Sequence, residues 1–459
     1  MTSTPTTLTV SERLVAFINE WNERGVPEKV LHEAQRLLVN QLKASVGATD
    51  HPAIRIMHDW AMEEGGGSGS ASVLWFGTKA APSQAAVVNG ALFEVLDFND
   101  TYIPTFMHAV SGVLPAVLAL AEKGNYTGKQ MLTALALGIE AELVVATILM
   151  PKAYYRGFVP GGLSDGVGAA AACSILAGLD PVRMRNAIGL AMCTAFGIYE
   201  SVGSMALPYI MGATARSGYT AFQMAERGLD APATAFEGDK GMMASHSDEP
   251  ADKIDGVFAT LGQTWRIFGN SYKTVPTETI THAPVECVLE VLGRSNGREI
   301  KRMVFAVEPI VVKIADERRE RFGAPNSELT ARFDLRFCAA AAWTRGHFTL
   351  AEMREAAYTD ATILALRDRI ELVADTKRPT FDGCSLQVEY TDGSTDSANV
   401  DDFLGTPGRP MTDAQLSDVF RVSAAGLLPE GRADAILDAA WALPNAANIH
   451  QLMALLSFQ

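Results

Sequence analysis

Cysteine is scarce in this chain and never arranged for pairing. Cys173, Cys193, Cys287, Cys338 and Cys384 are odd in number, widely separated and without a CxxC spacing. That argues against a disulfide framework and against a thiolate metal site, and it fits a reducing, cytoplasmic setting. Clustered positive charge is missing as well: 38 Lys and Arg stand against 53 Asp and Glu, a formal net charge of −15. Nucleic acid needs concentrated Lys and Arg to displace its counterions and is not an expected partner. An anionic substrate would have to be held by local cations. The eight histidines show no HxxxH, HxH or HExxH spacing, so no zinc or iron site is expected. No GxGxxG, GxSxG or SxxK pattern has the flanks that give it meaning. Residues 1–10, MTSTPTTLTV, lack the basic and apolar regions of a signal peptide. One run, Met131 to Met150, comes near the length of a membrane span, but Glu140 and Glu142 sit at its centre. Each would cost roughly 2.5–3.5 kcal/mol in a bilayer, so it is read as a buried helix, and no membrane partner is expected.

What is there has globular texture, with 48% hydrophobic and 20% charged residues. From about residue 10 to 268 the pattern is helical. Gly124 marks a helix end and Thr127 the next cap. Asp180-Pro181 reads as an N-cap followed by proline at N1, opening a helix through Met192. Segments such as Gly166 to Cys173 are dense in Ala and Gly, as tightly packed helices require. The texture changes after about 269. Residues 300–314 are β-branched and interrupted by Pro309, and read as strand material. Leu386, Val388 and Tyr390 alternate with polar residues, and Asp392-Gly393 supplies a hairpin turn before Ser394 to Val400. Residues 350–375 read as helix, and Thr412 with Gln415 as a capping box. The expectation is a mainly α protein: a helical domain over 1–268, a smaller α+β domain over 269–405, and helices over 406–459 that rejoin the first. The glycine-rich stretch 64–72 is read as a surface connection.

Three places could carry chemistry. Asp97-Phe-Asn99-Asp100-Thr101-Tyr102, with Pro104 and His108, puts carboxylates, a carboxamide, a hydroxyl and an imidazole into an otherwise apolar region. It is either a capped helix end or a functional pocket. Tyr272-Lys273, with Pro276 and His282, lies at the proposed domain junction. A lysine there can fix a carboxylate while a histidine moves a proton; alternatively the lysine is a surface residue and the histidine structural. Arg156 to Asp165 is a glycine-rich break in which Ser164 and Asp165 would cap a helix, with or without an anion at its N-terminus.

Taken together these places resemble the MmgE/PrpD family, over nearly the whole chain and in order. Phe93 to Pro115 is similar to its DFDDT…H…LP segment, Gly157 to Asp180 to GWHPT…GAAAA…LGLD, and Gly203 to Gly218 to GTMTKP…GAARxG. Lys273, Pro276 and His282 match KxxP…H, Phe333 to Ala339 the FSLxYCxA helix start, and residues 406–415 the closing GxP…MT. The resemblance implies an all-helical domain with a smaller α+β lid, a homodimer, an active site between the domains, and no metal or organic cofactor. It implies proton transfer next to a carboxylate, leading to loss of water or carbon dioxide, or alternatively to epimerisation.

By the same resemblance His282 would be the general acid/base and His108 a second proton carrier. Asp100 would orient a histidine or share in the transfer. Lys273 would hold a substrate carboxylate, with Asn99, Tyr102 and Tyr272 also on the binding side. Arg216 would face the anion or serve as a structural ion-pair partner. Five positions depart from the family pattern: Asn99 for Asp, Ile103 for His, Val159 for His, Leu207 for Lys and Phe337 for Tyr. Val159 and Leu207 remove a proton carrier and a carboxylate anchor, and an apolar wall leaves a carboxylate unpaired. The expected substrate is therefore a small organic acid other than a citrate-like tricarboxylate. A ligand-binding member without turnover is the rival from another class.

Overall fold

The computed structural model describes residues 8–64 and 69–457. Two compact units emerge. The larger takes the chain up to Val95, Asn99–Asn270 and Leu416 onward, and the smaller takes Leu96–Phe98 and Ser271–Gln415.

In the larger unit the local signals act where the sequence puts them. Thr127 and Gln130 form a reciprocal capping box at the start of the Gly128–Leu149 helix, and Asp180 accepts from Val182 and Arg183 N–H ahead of Pro181. Gly124 ends the Val113–Lys123 helix. The Gly128–Leu149 helix is long and apolar enough to cross a membrane, yet 89% of its apolar stretch is buried inside the protein. Glu140 on it accepts the backbone N–H of Ile267 at 2.7 Å.

Small residues bring these helices together. A methyl group added at Gly138 would stand 2.7 Å from Ala172 Cβ on the Pro160–Ala177 helix. One at Gly212, on the Ala206–Glu226 helix, would stand 2.1 Å from the Val87 carbonyl oxygen of the Pro82–Glu94 helix. A Cβ cannot occupy such a gap, so glycine there sets how closely the helices approach.

The larger unit is not wholly helical. Ala71–Val73 and Thr78–Ala80 pair antiparallel, immediately after the glycine-rich stretch, of which residues 65–68 lie outside the described residues. Ser164 and Asp165 do not cap a helix. Pro160 fits the first helical position, where no N–H is needed, so the helix starts there with Val159 as N-cap and carries both residues inside it.

The smaller unit holds a four-stranded sheet in the order Ile370–Ala374, Ile300–Val307, Cys384–Tyr390, Thr395–Val400, the first pair parallel and the others antiparallel. Phe305 pairs with Leu386 and Met303 with Val388. These buried side chains share one core with Val285, Val288 and Val291 of the His282–Leu292 helix and Phe337 to Ala342 of the Leu335–Arg345 helix. The Asp392-Gly393 turn forms as the sequence indicates, with Gly393 at φ +84°.

Three readings of this region need correction. Residues 300–314 are not one broken strand: the strand stops at Val307, the Glu308 carboxylate accepts from Ile310 N–H, and Pro309 opens a helix to Phe322. Residues 350–375 are not one helix but two short turns, the Ala361–Arg367 helix and the edge strand Ile370–Ala374. The smaller unit also runs past 405, because Tyr272 N–H bonds the Gly405 carbonyl and Gly405 N–H bonds the Arg409 carbonyl, both at 2.8 Å.

Gly212→Ala is expected to destabilise the protein by roughly 1–3 kcal/mol or more in denaturant unfolding, as overpacking does. Gly256→Ala, on the exposed side of the Asp252–Ala259 helix with no atom from outside its own helix backbone within 4 Å of the new methyl among the described residues, should be neutral or slightly stabilising. Equal losses at the two sites would refute the close-packing account.

Candidate active site

The segment after the Pro82–Glu94 helix is where polar groups enter the interior of the larger unit. Asn99 Nδ2 donates to Glu94 Oε2 and to Ser111 Oγ, both at 2.7 Å. Gln41 Nε2, from the Glu28–Ser45 helix, donates to Asp100 Oδ1 at 2.9 Å. His108 is drawn into the same network. Its Nδ1 lies 2.6 Å from the backbone carbonyl of Asp100, an oxygen that can only accept, so Nδ1 carries the proton. Nε2 is then the basic nitrogen of the neutral ring, and it faces Glu94 Oε1 at 3.7 Å. The His108 side chain is 21% exposed and that of Glu94 3%, so the imidazole is the member of this pair that solvent or a ligand can reach.

Behind this network lie further carboxylic acids. Glu142 and Asp165 are fully buried, and none of their four oxygens has a hydrogen-bond partner among the described residues. Glycines make room for them: a Cβ at Gly112 would fall 2.4 Å from Asp165 Cβ, and one at Gly168 2.8 Å from Glu142 Oε2. Burial first, then the neighbouring negative charges, pushes both carboxyl groups well above the usual carboxylate range. Asp100 is pushed up to about 6 by burial, with the nearby His108 opposing that rise. Glu142 and Asp165 are thus held as neutral acids, and Asp100 titrates near neutrality. Among the described residues no three His, Cys, Asp or Glu side chains converge as ligands of a metal ion.

Two more of the expected residues of this unit point elsewhere. Tyr102 is buried, its phenol pKa raised by burial, near Arg266, Glu140 and Thr147. Arg216 places its guanidinium over the Trp60 ring, 5.8 Å from the centroid, and forms no ion pair with a carboxylate among the described residues.

The smaller unit carries its own charged group. Lys273 Nζ donates to the Asp97 carbonyl at 2.9 Å and pairs with the Asp97 carboxylate, its side chain fully buried. Asp97 sits at φ +48°, a backbone region in which Asn and Asp are enriched among non-glycine residues. Buried Arg332 lies nearby: burial lowers its pKa, and Asp97 and Glu328 work against that. The carboxylate that Lys273 engages here is therefore the protein's own. His282 opens the His282–Leu292 helix almost wholly buried, with Nε2 3.4 Å from the Thr277 carbonyl and its ring 5.0 Å from that of Phe403. Tyr272, next to Lys273, is buried in the same unit.

The sequence reading assigned no role to Asp97, Glu94, Gln41 or Glu142, and made Asp165 a cap. Only Asp97 left a trace, as part of the acidic run. Glu94, Gln41 and Glu142 lie within helices with no local signal to set them apart, and Glu142 served there only as an argument against a membrane span.

Residues 12–255 match the MmgE/PrpD N-terminal domain and residues 275–443 the MmgE/PrpD C-terminal domain. The chain is 23% identical over 435 residues to human cis-aconitate decarboxylase, covering 91% of this chain and 88% of that protein. It is 24% identical over 418 residues to cis-aconitate decarboxylase of Aspergillus terreus, covering 85% and 84%. It is 22% identical over 396 residues to 2-methylcitrate dehydratase of Salmonella typhimurium, covering 78% of each. These relatives carry the names of lyases, and both halves of the family pattern are present in order. The chain belongs to the MmgE/PrpD family.

Proposed function

We propose that this protein is a lyase that removes a proton next to the carboxylate of a small organic acid, with loss of water or carbon dioxide, and that His108 is a proton carrier in that reaction. The observation that carries the reading is the setting of His108: Nδ1 is tied to the Asp100 carbonyl, Nε2 faces Glu94, and the imidazole stands at the accessible edge of a buried acidic network. A base so placed takes a proton at Nε2, and the imidazolium that forms is stabilised by the carboxylates beside it. The names of the relatives, a decarboxylase and a dehydratase, support a lyase-type reaction. Lys273 acts through Asp97, whose carboxylate it neutralises and orients. The apolar residues at 159 and 207 favour an acid with fewer charges than a citrate-like tricarboxylate.

Proton NMR in deuterated buffer, with mono-, di- and tricarboxylates offered in parallel, tests this directly. Turnover or solvent deuterium incorporation is expected with at least one unsaturated or hydroxylated acid, and His108→Ala should slow it by roughly 10²–10⁴-fold. Full activity in His108→Ala would remove the histidine from the reaction. Binding without any exchange or turnover would replace the lyase reading with that of a binding protein.

The acidic network also predicts how stability depends on pH. A carboxyl group whose pKa is raised on folding binds more protons folded than unfolded between its two values. Stability therefore falls as pH rises through that window. For Asp100 the window runs from the ordinary 3.8 to about 6. Subtracting the Asp100→Asn curve from that of the unaltered protein should leave a decline of about 2 kcal/mol from pH 4 to 6.5. A difference that is flat or rising with pH would show that Asp100 is not a destabilised buried acid.

A further inference from the structure

One apolar cluster in the larger unit stands apart from the main core. It comprises Val159, Ile210 and Met211, with the half-buried Phe196 and Leu207 packed against them. Its walls come from two helix starts, the Pro160–Ala177 helix just after Val159 and the Ala206–Glu226 helix with Leu207 in its first turn. A third wall is the stretch before Tyr199. Val159 N–H bonds the Gly197 carbonyl and Phe196 N–H the Gly162 carbonyl, both at 3.1 Å. These two bonds hold the Val159 and Phe196 segments side by side.

The cluster adjoins the proton-transfer site on two sides. Ser164, just beyond Val159, donates to the Pro160 carbonyl at 3.0 Å with its Oγ 3.8 Å from Met107 Sδ, and Met107 is the neighbour of His108 in the chain. At Gly161 an added Cβ would meet Asp165 Oδ1 at 2.9 Å and Met211 Sδ at 3.1 Å, so the cluster's methionine lies beside the buried acid. In the chain its residues are flanked by exposed apolar side chains: Met205 and Tyr209 are each 47% exposed and Ile198 is 61% exposed. Large apolar side chains left in water near a buried apolar cluster whose outer members, Phe196 and Leu207, are half-buried mark a surface that something apolar covers.

We propose that this cluster is a subsite for an uncharged alkyl or aryl arm of the substrate acid, so that the protein acts on carboxylic acids carrying such an arm near the reacting carbon. The proposal rests on the lyase reading and names its substrate class. Val159 and Leu207 occupy the two positions at which the family motifs carry histidine and lysine. Joined in one apolar wall, they cannot compensate a carboxylate arm, whereas each methylene that leaves water against them gains affinity.

Isothermal titration of the full chain with a 2-alkylmaleate series, methyl to hexyl, against cis-aconitate provides the test. The dissociation constant is expected to fall by roughly two- to fourfold per added methylene over the first few members, with cis-aconitate among the weakest ligands. Leu207→Lys, at a half-buried position from which the ammonium can reach water, should flatten that dependence and strengthen cis-aconitate binding. Leu207→Gln should flatten it without that gain, and the circular dichroism of each variant checks folding. No chain-length dependence in the unaltered protein, no binding of any member, or a dependence untouched by both variants would overturn the subsite. The same series followed by NMR keeps the two proposals separate. Chain-length-dependent binding without turnover would defeat the lyase reading alone, and turnover indifferent to chain length would defeat the subsite alone.

Discussion

At Gly212 and Val87, and again at Gly138 and Ala172, the larger unit's helices lie so close that one added methyl group would collide with the neighbouring backbone or side chain. The interior polar site depends on this approach. Asp165 fits against Gly112 and Gly161, and Glu142 against Gly168, in spaces that exist because those residues lack a Cβ. Carboxyl groups packed this tightly lose water without gaining donors. They respond as physical chemistry requires, by keeping their protons.

The two units handle buried acid in different ways. In the larger one Glu142 and Asp165 are neutralised by protonation, and Asp100 balances between burial and the nearby His108. In the smaller one Asp97 is neutralised by Lys273, with Arg332 nearby. In the first arrangement Asp100 is the acid that gains and loses its proton near neutral pH. The second fixes geometry: removing one partner of such a buried pair costs about 3–5 kcal/mol, so Lys273 is committed to the protein's own carboxylate. A lysine whose motif suggests an anion holder is thus paired here with a carboxylate of the protein itself.

The departures from the family pattern also acquire a spatial meaning. Val159 and Leu207 lie 48 positions apart in the chain yet belong to a single apolar cluster beside the His108 loop. These two replacements, scattered along the sequence, amount to one change of surface, from polar to apolar, on one wall.

Much of the fold was legible because its signals are local. The Thr127 and Asp180 caps, the stop at Gly124 and the Asp392-Gly393 turn each depend on a few consecutive residues, and each is found in place. The same short range explains the errors. Pro309 reads equally as a strand breaker and as the first residue of a helix. Ile370–Ala374 is too short to declare itself a strand without its parallel partner Ile300–Val307. The family, the helical-plus-mixed architecture and the presence of His108, Asp100 and Lys273 at points of interest were thus determined by the sequence alone, through motif order and local chemistry. The partner of Lys273 lies 176 residues away, and the Glu94–Asp100 stretch, Glu142 and Asp165 come from three separate segments. Which acid is charged, which nitrogen of His108 is basic and which apolar residues share a wall depend on burial and on long-range contacts, and only the tertiary structure decides those.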